Sequence, residues 1–303
     1  MAQVLVIGLV EGTIFGLLAV GITLVYRGTG TINFALGEVG TVGLYAAWWL
    51  SVDRQLPWIA GAAGALAVAA TLSLVFERGI VRPMKARNPL AIAVATVGLL
   101  TFLLSLQYQF FGESPREVPV PLTGSGVQLA GVTVTPTQLL SLVVVAVLAV
   151  ALGQFLRRTD FGLGVLAAAQ DPDAARLVGV PLHRVTAFVW GAGGAAAAIA
   201  ALFVAPAVGS LTPGFASAHL FVVALVAAVM GGLSSLPGAF IGGLVLGVLK
   251  AGVLRAFAES PLPGKEYLVY LAIVLVVLLL RPAGITASLR LPRLPRLRPE
   301  EAR

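Results

Sequence analysis

Along this chain, stretches of about twenty residues recur that hold at most two charged side chains; the first, 4–26, is interrupted only by Glu11. In lipid a backbone has no water to bond, so its N–H and C=O groups must satisfy one another within helices or closed barrels. Runs of this length suit helices, at roughly 20 residues per crossing. The pattern predicts an all-α, polytopic integral membrane protein with spans at 4–26, 31–50, 58–76, 90–111, 137–156, 185–205, 219–230, 240–257 and 267–280. The seventh is short for a crossing and reads as a half-helix or re-entrant element, unless it continues through Gly231 and Gly232. About 8–9 transmembrane helices are therefore expected, some of them broken.

Composition agrees with this. Hydrophobic residues make up 58% of the chain and charged ones 11%, whereas about a quarter of a soluble domain is charged. With no cysteine there is no disulfide framework, thiolate metal site or thiol nucleophile, and two histidines, His183 and His219, argue against a histidine-rich metal centre. No metal and no cofactor are expected. Met1 and its neighbours lack a basic n-region, and the apolar run behind them is too long for an h-region, so a removable signal is not expected.

The net charge of +7 is concentrated in a few loops and the tail, a pattern that reports orientation rather than a nucleic acid partner. Arg78, Arg82, Lys85 and Arg87 follow the third span, Arg157, Arg158, Arg176 and Arg184 follow the fifth, and five arginines occupy the tail. The positive-inside rule places all three on the cytoplasmic side, with 112–136 and 206–218 outside. Nine crossings with the N-terminus outside and the C-terminus cytoplasmic satisfy every assignment. Residues 1–289 read as one transmembrane domain with a cytoplasmic loop at 158–184. Residues 290–303 form a basic tail that Pro292, Pro295 and Pro299 keep from being helical.

Glycines mark helix packing. Gly8, Gly12 and Gly16 fall four apart on one face of the first span, and Gly238 with Gly242, then Gly243 with Gly247, repeat the spacing in the eighth. Small residues at this interval let helix backbones approach closely. The echo between the first and eighth spans hints at an internal repeat.

Three ionisable residues fall inside the apolar runs: Glu11, Glu38 and Lys250. Each costs about 2.5–3.5 kcal/mol at mid-membrane and needs a partner or a wet cavity. Glu38 follows Asn33 and Gly37, which interrupt the apolar pattern as a broken helix would. Glu11, Asn33 and Glu38 are candidates for a translocation pathway or gate, with structural capping or an interhelical hydrogen bond as the plainer alternative. Lys250 could snorkel to the interface or pair with a carboxylate.

The most polar interior segment is 160–184. Asp171 suits an N-cap, Pro172 the first helical position and Asp173 the positive end of the helix dipole. Ala174, Ala175 and Arg176 continue the helix, and Gly179 stops it. A short capped helix at the cytoplasmic surface is suited to being gripped by another protein. No phosphate-binding loop, His-Glu-x-x-His or Gly-x-Ser-x-Gly motif occurs, so the chain is not read as an enzyme and carries no ATPase motor of its own. Two readings remain: a pore subunit worked through segment 160–184, or an ion- or proton-coupled secondary transporter using Glu11, Glu38 and Lys250 as a relay.

Four segments bear on that choice. Ile32-Asn-Phe-Ala-Leu-Gly-Glu38 resembles the Ile-Asn-Phe-Ala-His-Gly-Glu signature of bacterial branched-chain amino acid ABC importer permeases of the LivH type. The segment from Gln170 to Val180 is similar to their cytoplasmic loop, Gly231 to Gly238 to their Gly-Gly-x-Gly-Ser-x-Pro-Gly turn, and Leu280 to Gly284 to their closing Phe-Arg-Pro-x-Gly. Leu36 stands where the family has His, and Ser234 replaces a glycine of the turn. The resemblance implies an importer in which this chain joins a second related permease, two cytoplasmic ATPase subunits and an extracytoplasmic substrate-binding protein. It further implies that 171–179 is the helix docking on an ATPase and that transport proceeds by alternating access. Branched-chain amino acids are the implied cargo, with urea or short amides carried by related systems.

Overall fold

The computed structural model describes residues 2–84, 89–122, 124–129, 132–233 and 235–256, with the single positions 268, 271, 272, 275, 276 and 279. Helix dominates, as the apolar runs require. α1 covers Ala2–Thr29, and α2, Leu36–Trp48, ends in a π-helical turn at Trp49–Asp53. α3, Trp58–Phe76, runs through a second π-helical turn, Glu77–Val81, into α4, Arg82–Met84. α5 spans Pro89–Phe111 and α6 Pro136–Arg158. Two short helices, α7 at Asp160–Ala168 and α8 at Pro172–Leu177, precede α9, Leu182–Val208. A π-helical turn, Ser217–Phe221, opens α10, Val222–Gly231, and α11 covers Leu236–Ala256. Between α5 and α6 a small antiparallel hairpin pairs β1, Val127–Leu129, with β2, Val132–Val134, an element the apolar pattern does not announce.

Among the described residues, six helices are long and apolar enough to cross a membrane: Val4–Thr29, Trp58–Met84, Leu90–Phe111, Pro136–Arg158, Leu182–Val208 and Leu236–Ala256. The chain is thus an all-α polytopic membrane protein. The second expected span is shorter than anticipated, because helix begins only at Leu36. The seventh, Ser217–Gly231, stops at its glycine, and Gly232 turns away with φ +80°. At 1.5 Å per residue it reaches about 22 Å, short of a 30 Å hydrocarbon core. The ninth expected span at 267–280 (apart from isolated positions), the closing motif beyond it, Ser234, Lys85, Arg87 and the basic tail lie outside the described residues. Arg78 and Arg82 sit on a 27-residue continuous helix rather than in a loop, since helical geometry persists through the π turn to Met84.

α1 is the axis of the bundle, packed against α9, α10 and α11 and flanked by α6. Its glycine strip makes close approach possible. A Cβ at Gly12 would lie 2.9 Å from Leu244 Cα, and one at Gly8 2.6 Å from Val248 Cα. Gly243 and Gly247 of α11 face back onto Gly16, Gly12 and Gly8, so two bare backbones meet antiparallel. Gly238 and Gly242 lie on another side of α11 and receive α10, at Gly231 and Ala227. The echo between the first and eighth spans is thus the signature of two helices in contact. A local repetition exists elsewhere. α1 and α9 each end on a left-handed glycine, Gly30 at φ +74° and Gly209 at φ +80°, whose N–H bonds a carbonyl four residues back. Each break then leads through a Phe-Ala pair, Phe34-Ala35 or Phe215-Ala216, into a short helix.

Candidate functional site

The two breaks meet. Asn33 Oδ1 accepts the Ala35 N–H at 3.0 Å, turning the chain into α2, while the Phe34 N–H donates to Thr96 Oγ1 of α5 at 3.2 Å. That contact sets the start of α2 beside the interior of α5, away from either end of the bundle. Glu38, in the first turn of α2, is 1% exposed, and its Oε2 accepts a hydrogen bond from Gln107 Nε2 at 2.7 Å. Gln107, equally buried, turns its Oε1 to the Gly214 N–H of the second break at 3.0 Å. A further link runs from the Ala216 N–H to Thr41 Oγ1 at 2.9 Å, and Phe34 meets Phe221 edge-on. The Gln107 amide and the Thr41 hydroxyl thereby satisfy backbone N–H groups that the second break leaves open, and the Glu38 carboxylate holds the Gln107 amide in place. Asn33 Nδ2 is buried and has no hydrogen-bond partner among the described residues.

Glu11 lies apart from this network. Its Oε2 accepts from Lys250 Nζ at 2.7 Å, joining α1 to α11 beside the glycine seam, with the Lys250 ammonium 5.1 Å from the centre of the Phe15 ring. Of the sequence candidates, Asn33 and Glu38 share one site, while Glu11 belongs to a separate ion pair whose partner only the fold reveals.

Sequence reading missed Glu77. It ends an apolar run and so looks like the start of a loop, yet its side chain is fully buried. Arg82 pairs with it at 3.0 Å, and the Thr186 hydroxyl donates to it at 2.9 Å. Its placement just past the run, four residues after Ser73 on the buried face, was the signal available.

The polar loop forms as its residues dictate. Thr159 accepts the Gly162 N–H at 3.0 Å to cap α7 while donating to Phe155 O of α6. Asp171 Oδ1 receives the N–H groups of Asp173 and Ala174 at 3.0 and 2.9 Å, and Pro172 occupies the first turn of α8. At the other end Gly179 takes φ +86°, its N–H bonds Arg176 O, and the Val180 N–H reaches Ala175 O, the paired bonds of a Schellman stop. Asp171, Pro172, Asp173, Ala174, Arg176 and Gly179 are exposed, whereas Ala175 is 3% exposed and packs inward. The apolar surface presented outward comes from residues not singled out in the sequence, Leu177 at 88% and Val178 at 79% exposure. The set offers hydrogen-bonded joints inside the bundle and an apolar knob beyond it. Among the described residues no cluster of three or more acidic or histidine side chains could hold a metal ion.

Comparison with known proteins gives a consistent result. Residues 4–279 match a family described as branched-chain amino acid transport system / permease component. The high-affinity branched-chain amino acid transport system permease protein BraD of Pseudomonas aeruginosa is 32% identical, over 93% of this chain and 94% of its own. LivH of Escherichia coli K12, of the same description, is 31% identical over 92% of each chain. A probable branched-chain amino acid transport permease protein LivH of Methanocaldococcus jannaschii is 28% identical over 89% of this chain and 87% of its own. No solved structure matches. Both the matched length and the identity over nearly whole chains lead to one assignment: the chain belongs to the branched-chain amino acid transport system / permease component family.

Proposed function

We propose that this chain is the permease subunit of an ATP-driven importer of branched-chain amino acids, alternating between outward- and inward-open states. In this reading it pairs with a second related permease, receives cargo from an extracytoplasmic binding protein, and is driven by two cytoplasmic ATPase subunits. It performs no covalent chemistry. The N-terminus lies outside, the loop 158–184 and the tail 290–303 lie in the cytosol, and residues 1–289 form one domain. Urea or short amides are the alternative cargo.

The observation that carries this reading is α8. Two large aliphatic side chains, Leu177 and Val178, stand almost wholly exposed at the end of a helix capped at both termini, a shape that a partner's cleft would cover. The exposed Asp171, Asp173 and Arg176 supply a polar rim around it. Motion applied there reaches the bundle directly, because α8 packs on α7 and α9 and the Glu77 cluster ties α9 to α3. The bridge of Glu38, Gln107 and Gly214 then serves as a joint between the two broken segments. A stand-alone ion-coupled carrier finds less support, since Glu11 and Lys250 are already paired with each other and Glu38 belongs to a separate network.

The test uses the assembled transporter in vesicles. Leu177→Ser with Val178→Ser should keep membrane abundance while abolishing cargo-stimulated ATP hydrolysis and crosslinking of the loop to the ATPase subunit. Normal stimulation in that variant, or uptake that persists without the ATPase subunits and collapses with the proton gradient, would refute the proposal.

A further inference from the structure

Between α6 and the facing parts of α1, α7 and the start of α11 lies a slot of about 220 Å³. Among the six long helices α6 is the least enclosed by the rest of the chain. The slot's walls are aliphatic and aromatic, including Leu17, Ala149, Leu152 and Phe240, and two arginines, Arg27 and Arg157, also line it. Both arginines sit in the last turns of their helices, so they mark the same end of the slot. From Leu17 to Arg27 is ten residues and from Ala149 to Arg157 eight, which makes the slot roughly 12–15 Å long. That is about half of a 30 Å hydrocarbon core. A charged mouth at the level where the helices leave the membrane, above a dry groove one leaflet deep, matches a molecule with one anionic end and one hydrocarbon end.

We propose that this slot is a binding site for an anionic phospholipid of the leaflet on the side of α8, one acyl chain lying in the groove and the phosphate held by Arg27 and Arg157. The volume is below the roughly 300 Å³ at which small-molecule sites begin, and takes a length of one chain rather than an entire lipid. Two guanidinium groups select an anionic headgroup over a zwitterionic one, since each is drawn to negative lipid at the membrane surface. Gly153 of α6 also lines the slot, and a Cβ there would meet no atom within 4 Å, so the groove has room at its middle.

The experiment reads retained lipid and involves neither cargo nor ATPase, so its failure is separable from failure of the transport reading. Full-length chain is reconstituted with phosphatidylglycerol and phosphatidylcholine, extracted in mild detergent, and weighed by native mass spectrometry. Wild type should retain one phosphatidylglycerol in preference to phosphatidylcholine. Arg157→Gln, an exposed position, should weaken retention roughly fivefold, and Arg157→Lys should restore most of it. Gly153→Leu, which fills the groove and leaves both arginines in place, should abolish retention, with helicity and abundance unchanged as the control for folding. Equal retention of the two lipids would overturn the proposal, as would retention unaffected by Gly153→Leu. Crosslinks from position 153 to residues 267–280 or to a second permease would also overturn it, because the groove would then be filled by protein.

Discussion

The Thr186 hydroxyl donates to the Glu77 carboxylate across 2.9 Å, fastening the far end of α3 to the first turns of α9, nine residues beyond the end of α8. Arg82 closes the cluster, bonding Glu77 and reaching His183 O at 3.3 Å. A displacement of α8 is thereby felt by two long helices at once.

This cluster makes an asymmetric prediction. Arg82→Ala leaves a buried carboxylate with Thr186 as its remaining partner and should destabilise the fold by about 3 kcal/mol. Glu77→Gln keeps an acceptor for both partners and should cost about 1 kcal/mol. Thermal unfolding in detergent ranks the two, and the opposite order would contradict the assigned roles.

Ala175 and Leu177 are two residues apart and should behave in opposite ways. Ala175→Glu places a charge where the side chain is buried, so membrane abundance should fall. Leu177→Asp changes a surface site and should leave abundance intact while ATPase binding is lost. Quantitative blotting beside a pull-down separates the two effects.

The glycine seam predicts a cost that depends on position. Gly12→Ala puts a methyl group 2.9–3.0 Å from backbone atoms of α11 that have no side-chain freedom to yield, and should cost about 2 kcal/mol. Gly98→Ala in α5 meets nothing within 4 Å and should stabilise the helix by about 0.5–1 kcal/mol. Unfolding midpoints of the pair decide the matter.

In the bridge between the breaks, Gln107→Leu strands the Glu38 carboxylate and the Gly214 N–H together and should cost about 2–3 kcal/mol. Glu38→Gln can still bond Gln107 and should fold, yet it alters the joint, so uptake should fall several-fold at normal abundance. Undiminished uptake in Glu38→Gln would reduce the bridge to scaffolding.

For Glu11 and Lys250, a double-mutant cycle tests the pair. Glu11→Gln and Lys250→Met should each destabilise, and the double variant should recover about 1–2 kcal/mol of the summed loss, because no uncompensated charge then remains in the membrane. Additive losses would mean the two charges act independently.

Local chemistry made much of this legible from residues alone. Uncharged runs dictated helices because lipid offers the backbone no other partner; Asp171, Pro172 and Gly179 fixed the ends of α8 because capping acts over a few residues. Asn33 likewise marked the break before α2, whereas Gly37, read as part of the same interruption, lies within the helix. The full reach of the third span to Met84 escaped notice, since charge at Arg78 and Arg82 looks like an end although a helix can carry such residues at the interface.

By itself the sequence determined that the chain lives in a membrane, where the short helix α8 begins and ends, and which residues are small enough for helices to touch. Only the tertiary structure decided the partners: Lys250 for Glu11 across 239 positions, Gln107 for Glu38 across 69, and Thr186 for Glu77 across 109. It also decided that Ala175 faces in while Leu177 and Val178 face out. Propensity and capping depend on neighbours along the chain, whereas a buried charge takes whichever partner helix packing brings within hydrogen-bond range.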